Sequence, residues 1–289
     1  MKSHAFVLAF CSFALTISNA AASVLSDYNL VSLGNLTSSG EVFGSALVGG
    51  DIFGNTSGYS VLGGTNATRD GLVLAGDLLA TNQILLNNGG NLRVSPTTQL
   101  NAGRVFNGGG SFFIDPNVDQ IVQNAAAEVN FLNAAFANLE TNATITDNGS
   151  DVILNAPAAS PVTVFSIDGA LLSRSNTRFS INFNSNFTST VIVNIDGNGG
   201  IVNLGGSGAS FGAGFTNINA SRILFNFVNT ERVQVLSTFS GAVLAPDADI
   251  RLISGDVNGT VVGDAVDQGT RDIRLNTYTG FIPTEIPTP

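Results

Sequence analysis

Val48-Gly49-Gly50-Asp51-Ile52 returns with changed letters as Leu74-Ala75-Gly76-Asp77-Leu78, Ile253-Ser254-Gly255-Asp256-Val257 and Val261-Val262-Gly263-Asp264-Ala265. Each copy is an apolar approach, Gly-Asp, and an apolar departure. A strand that meets a similar corner again and again, at irregular intervals, is the pattern of a β-solenoid, in which every coil bends at comparable places while pointing apolar side chains inward. Gly tolerates a left-handed or crowded backbone at the bend, and Asp accepts hydrogen bonds from turn N–H groups. The expected fold is mainly β, a right-handed β-helix; a β-sandwich with similar turns is the alternative.

Outward from these corners, strand-length apolar runs alternate with Gly, Asn, Asp and Ser clusters at 46–48, 71–74, 83–86, 111–114, 152–154, 162–165, 179–183, 190–193, 222–225, 232–235 and 260–262. One segment breaks the rhythm. Val118, Ile121, Val122, Ala125, Val129, Leu132, Phe136 and Leu139 recur at spacings of three and four, which predicts a flanking amphipathic α-helix over about 116–140 with Asp115 as N-cap and Pro116 in its first turn. Its apolar stripe reads as a packing face, and its polar side lacks the Lys and Arg that anionic lipid attracts. Residues 283–289 read as a Pro-rich extended tail.

At the other end, Lys2 and His4 precede an apolar stretch from Ala5 to Ile17 and the small residues Ser18-Asn19-Ala20-Ala21-Ala22, so 1–22 reads as a signal peptide and 23–282 as one β domain. Export is the expectation, with a secreted, extracellular or cell-surface location and no transmembrane segment after cleavage. Cleavage would also remove Met1, Lys2, His4 and Cys11, the chain's whole complement of Met, Lys, His and Cys. The remainder would lack a thiol, an amine nucleophile, an imidazole and any soft metal ligand, which excludes His-based triads, Schiff bases, disulfides and His/Cys metal sites. No cofactor, metal or catalytic residue is expected.

Hydrophobic residues make up 44% of the 289, with 20 Phe, against 11% charged, a balance that supports a packed core despite 33 Gly. The net charge of −10 and the scattered Arg side chains argue against nucleic acid as a partner.

The order of features resembles the choice-of-anchor A family of bacterial surface proteins, an adhesive domain. The resemblance runs over about residues 27–283. It rests on Asp27-Tyr28-Asn29-Leu30-Val31-Ser32-Leu33-Gly34-Asn35-Leu36, Gly44-Ser45-Ala46-Leu47-Val48-Gly49-Gly50-Asp51 and Leu74-Ala75-Gly76-Asp77-Leu78. The helix and Ile223-Leu224-Phe225-Asn226-Phe227 follow. The ending is Gly241-Ala242-Val243-Leu244-Ala245-Pro246-Asp247-Ala248, Gly255 to Gly263, and Tyr278-Thr279-Gly280-Phe281-Ile282-Pro283. It implies a surface or secreted adhesive module with no catalytic residues to carry over. No sortase motif or terminal hydrophobic anchor is visible, a departure from the family pattern that puts covalent or membrane attachment in doubt and opens release into the medium as the alternative. The Gly241-Ala242-Val243-Leu244-Ala245 phrase and the single long helix are also similar to bacterial ice-binding β-solenoids, a likeness of architecture.

The leading functional expectation is non-catalytic adhesion or matrix assembly, with an extracellular glycan or matrix protein as partner. A polysaccharide-active β-helix enzyme is the second reading. It needs paired carboxylates, for which Asp247 with Asp249, Asp264 with Asp267, and Asp51 with Asp77 are candidates. Ice binding, the third, requires a flat Thr array, and the sequence offers Thr144-Ile145-Thr146 preceded by Thr141. Asp196-Gly197-Asn198-Gly199-Gly200 and Asp147-Asn148-Gly149-Ser150-Asp151 are oxygen-rich loops without EF-hand spacing, and read as turns. The sequons at Asn35, Asn55, Asn66, Asn142, Asn148, Asn186, Asn219 and Asn258 matter only in a glycosylating host.

Overall fold

A computed structural model describes residues 23–66, 68–157, 160–183 and 190–284. The signal-peptide reading of 1–22 and most of the Pro-rich tail lie outside them. Short parallel strands stack into a β-solenoid. One face is a ladder in the order 112–114, 91–94, 70–74, 46–48, 30–32, 261–263, 242–245, then the first parts of Ile223–Val235 and Thr190–Leu204, and finally Val162–Asp168. Among the described strand pairs, Thr144–Asp147 with Asp151–Asn155 is antiparallel and the others are parallel. That excludes the sandwich alternative, whose sheets are built from antiparallel neighbours.

The chain does not climb the stack from end to end. It begins mid-stack at Leu30–Ser32 and coils outward to Phe112–Ile114. The long helix Val118–Ala137 then runs back along the side, and the chain re-enters from the far end at Val162 to coil inward until Val261–Gly263 pairs with Leu30–Ser32. At 1.5 Å per residue the helix spans about 30 Å, most of the roughly 43 Å covered by nine steps of about 4.8 Å.

This return explains why the first-face strands read as unbroken apolar runs. Leu30, Ala46, Val48, Leu72, Leu74, Val191, Ile223 and Val261 point into the coils. Val31, Leu47, Val73, Ile192, Leu224, Leu244 and Val262 point the other way and are buried with Val118, Ala125, Val129, Leu132 and Phe136 of the helix. Coils of the second half are filled by rings: Phe225 lies tilted at 4.6 Å from Phe239, and Phe211 lies 5.1 Å from both Phe239 and Phe215.

The helix is shorter than predicted. Its N-cap is Asn117, with no side-chain cap bond, rather than Asp115. The Asp115 backbone N–H still donates to the Val94 carbonyl, so this residue belongs to the ladder. Its carboxylate accepts from the Asn117 N–H and side-chain amide, both at 2.9 Å, which moves the cap two residues on. At the other end the Asn138 side-chain amide takes the Ala134 carbonyl and closes the last turn.

A buried amide network fastens the helix to the ladder. Asn133 Nδ2 donates to Asn226 Oδ1 at 2.7 Å and to the Phe227 carbonyl at 2.9 Å. Asn226 Nδ2 donates to the Asn133 carbonyl and to Asn194 Oδ1, and Asn194 Nδ2 reaches the Phe136 carbonyl at 2.8 Å.

The Gly-Asp corners act between coils rather than within their own turns. Asn35 Oδ1 accepts from the Asp51 N–H, Asp51 Oδ1 from the Asp77 N–H at 2.7 Å, and Asp77 Oδ1 from the Gln99 N–H at 2.7 Å. Asp256 Oδ1 accepts from the Asp272 N–H in the same way. Asp264 stands exposed at its corner and does not repeat the pattern. The glycines are needed for close stacking: a Cβ on Gly76 would collide with the Gly50 carbonyl of the coil beside it, and neither φ is positive.

Candidate functional site

With the first face covered by the helix, two outer faces remain for contact. On the second, the outward column reads Asn203, Gln234, Arg251, Asp267, Thr37 and Phe53 in successive register. Its chemistry changes at each step. Arg232 and Asp249 form an ion pair beside it at 3.4 Å.

The third face carries a cleft of about 280 Å³ lined by Glu41, Val61, Asn87, Asn88, Asn107 and Gly108. Parallel pairing of 83–86 with 103–106 places Asn87 and Asn107 at the same corner of adjacent coils. Asn107 Nδ2 donates to Asn87 Oδ1 at 2.9 Å, and the Asn107 N–H donates to the Leu86 carbonyl. Asn88 and Gly108 follow with φ of 48° and 87°, the left-handed conformations that turn both coils away and open the cleft. Asn88 Nδ2 is bonded to the Val61 carbonyl and closes one wall. Glu41 also lines the cleft and is exposed; its side chain and the Asn87 amide flank the same Gly58, and no polar partner of its carboxylate is found among the described residues. The cleft therefore offers one free carboxylate beside a hydrogen-bonded pair of amides.

The other sequence candidates sit elsewhere. Asp247 lies in a corner turn and Asp249 on the following strand, where it pairs with Arg232. Asp264 and Asp267 are exposed at a corner and on a strand, and Asp51 and Asp77 are brought into adjacent coils but spend Oδ1 on backbone N–H groups. Thr144 and Thr146 share the outward side of the hairpin strand, where Asn155 Nδ2 donates to Thr146 Oγ1; the neighbouring strands present Asn182, Ser180 and Arg178.

Of the two oxygen-rich segments, 147–151 is a hairpin turn, whereas 196–200 lies inside the strand Thr190–Leu204, where the register against 223–235 shifts and Asn198 and Gly199 take positive φ. Asp147 makes a bidentate pair with Arg174 at 2.8 and 2.7 Å and accepts from the Gly149 N–H; the guanidinium first, and that backbone bond second, hold its carboxyl below the usual range. Asp151 pairs with Arg178, and Asp196 Oδ1 accepts from the Asn198 N–H at 2.8 Å. No group of three or more His, Cys, Asp or Glu suited to a metal occurs among the described residues. No described helix is long and apolar enough to cross a membrane.

Sequence reasoning missed the cleft, because its walls come from residues that are separately unremarkable. The usable signal was the twenty-residue offset between Gln83-Ile84-Leu85-Leu86-Asn87 and Gly103-Arg104-Val105-Phe106-Asn107.

No curated protein matches the chain. Among solved structures it is similar to a glycosylated ice-binding protein from an Arctic yeast, with a TM-score of 0.39 and 13% identity over 90% of this chain and 94% of that one. A family model described as "Putative Ice-binding-like adhesive domain" matches residues 21–273, nearly the whole described chain, and the chain belongs to that ice-binding-like adhesive family.

Proposed function

We propose that the domain is an extracellular adhesive module that binds glycan or matrix without catalysis, through the third-face cleft. The observation that carries this reading is the juxtaposition of the free Glu41 carboxylate with the Asn87–Asn107 amide pair. A carboxylate accepts two hydroxyl hydrogens at once, and a side-chain amide both donates and accepts, which suits neighbouring hydroxyls of a sugar ring. Family membership supports the adhesive role, and the commitment of Asp51, Asp77, Asp147, Asp151 and Asp249 to structural bonds supports a non-catalytic one. The signal-like 1–22 supports export to the cell surface or medium, and the phrases ending in Tyr278-Thr279-Gly280-Phe281-Ile282-Pro283 support the narrower choice-of-anchor A assignment.

The test is a glycan array followed by calorimetric titration of the best ligand against wild type, Glu41→Ala and Asn107→Ala. Loss of the charged Glu41 acceptor, worth roughly 1.5 kcal/mol or more, should lower affinity at least tenfold, and loss of the neutral Asn107 amide, worth roughly 1 kcal/mol, about fivefold. Wild-type binding that survives both substitutions would move the contact off this cleft, and no binding to any glycan or matrix protein would end the reading.

A second reading is ice binding, favoured by the family description and by the outward Thr144 and Thr146. Thermal hysteresis that disappears in Thr144→Lys would establish it in place of the first.

A further inference from the structure

The two ends of the solenoid are finished differently. At one end the edge strand Val162–Asp168 is capped over its first part by Asn142, whose Oδ1 accepts from the Val164 N–H at 2.9 Å, whose Nδ2 donates to the Val162 carbonyl, and whose own N–H donates to the Val164 carbonyl. At the other end, Phe112–Ile114 is the last strand of the ladder, paired with 91–94 on one side and with no described strand on the other. Leu92 donates to the Ser111 carbonyl and Asp115 to that of Val94, so residues 111, 113 and 115 bond inward, and the backbone groups of Phe112 and Ile114 point out of the stack. Phe112 and Ile114 lie in the columns that form the core elsewhere, below Leu92 and Val94, yet are 41% and 63% exposed.

We propose that this open edge pairs with the same edge of a second copy, antiparallel about a two-fold axis at Phe113, to form an end-to-end dimer. The edge is self-complementary. Phe112 would exchange two backbone hydrogen bonds with Ile114 of the other copy, and Ile114 two with its Phe112, which satisfies all four free groups. The exposed Phe112 and Ile114 side chains would meet on the core side, so that the apolar columns run on from one copy to the next. Head-to-tail growth is disfavoured because Asn142 occupies the far edge at Val162 and Val164, and the two-fold seam makes the association closed rather than fibrous. The adjoining edge strand Gly103–Phe106 is guarded by Arg104, held 5.7 Å over the Phe112 ring, and this confines the seam to 112–114.

Sedimentation equilibrium of the full chain should give a monomer–dimer equilibrium with a dissociation constant of roughly 1–100 μM, the range of a small seam. Ile114→Asp should weaken it at least tenfold without changing the circular dichroism, while Ile218→Asp, at a site 90% exposed elsewhere, should leave it unchanged. The geometry has its own test. In a Cys11→Ser background, Phe113→Cys places two thiols opposite each other in a non-hydrogen-bonded pair about 4.5 Å apart at Cα, within disulfide reach, and should give a covalent dimer on mild oxidation. Phe112→Cys should not. A chain that stays monomeric at all concentrations, one that forms filaments, or equal cross-linking from 112 and 113 would overturn the proposal.

Discussion

Asn226→Ala should cost about 4 kcal/mol of unfolding free energy. The side chain is fully buried and makes two of the bonds between helix and ladder, accepting from Asn133 Nδ2 and donating to the Asn133 backbone carbonyl, and a third within the ladder, donating to Asn194 Oδ1. Truncation orphans Asn194 Oδ1 and one Asn133 N–H in a site with no access for water, at roughly 1–3 kcal/mol each, and leaves a small void beside them. The assay is urea unfolding followed by circular dichroism, where the midpoint should fall with little change in slope. The double variant with Asn194→Ala is the stricter test. Once the orphaned acceptor is gone as well, the pair should cost about 1–2 kcal/mol less than the sum of its single changes. A loss below about 1 kcal/mol, or strict additivity, would refute the claim that these amides act as one network holding the helix to the sheet.

Gly76→Ala should destabilise by about 2–3 kcal/mol even though it adds one methyl group, because that methyl would meet the backbone carbonyl of Gly50, which has no rotamer by which to yield; a shift under about 0.5 kcal/mol in the same urea assay would count against the close coil contact. Burial, reinforced at Tyr28 by Asp70 and Asp27, pushes the phenols of Tyr28 and Tyr59 up to about 12, and burial raises that of Tyr278 further. A raised folded-state value means that the stabilisation is complete below the unfolded value near 10 and is lost as pH climbs through 12. Phenolate absorbance at 295 nm, free of Trp interference in this chain, should therefore rise together with unfolding, and a phenol titrating near pH 10 in still-folded protein would contradict the burial.

The solenoid was legible where both sides of a strand are covered. Ala46-Leu47-Val48 and 71–74 read as apolar runs, and 162–165 and 190–193 as apolar runs with one Thr each, because alternate residues face the core and the helix. On the other faces 83–86, 152–154, 179–183 and 232–235 were legible, but Leu36-Thr37-Ser38, Ile52-Phe53-Gly54 and Ser57-Gly58-Tyr59 were not: they are three residues long and carry polar or small groups, too short for a period of two to stand out. The helix was plain from its spacing, yet its start was misplaced because Asp115 serves the ladder first. The Gly-Asp phrase identified the corners but not what the carboxylate does there, since the N–H it binds lies some twenty residues away, in the next coil. The cleft was hidden for the same reason: Glu41, Asn87 and Asn107 converge through register, which no local window contains.

Because the solenoid's first coil, at Leu30–Ser32, and its last, at Val261–Gly263, meet in the middle of the stack, the seam between them joins two half-rods built from opposite directions. Leu25 near one end of the described chain accepts from the Thr260 hydroxyl and from the Tyr278 N–H near the other, so these residues are neighbours at that seam. A pulling force applied between residues 23 and 284 would thus be carried by this central joint while the coils on either side stay unloaded. Such a module would yield mechanically at its waist, with both wings still wound.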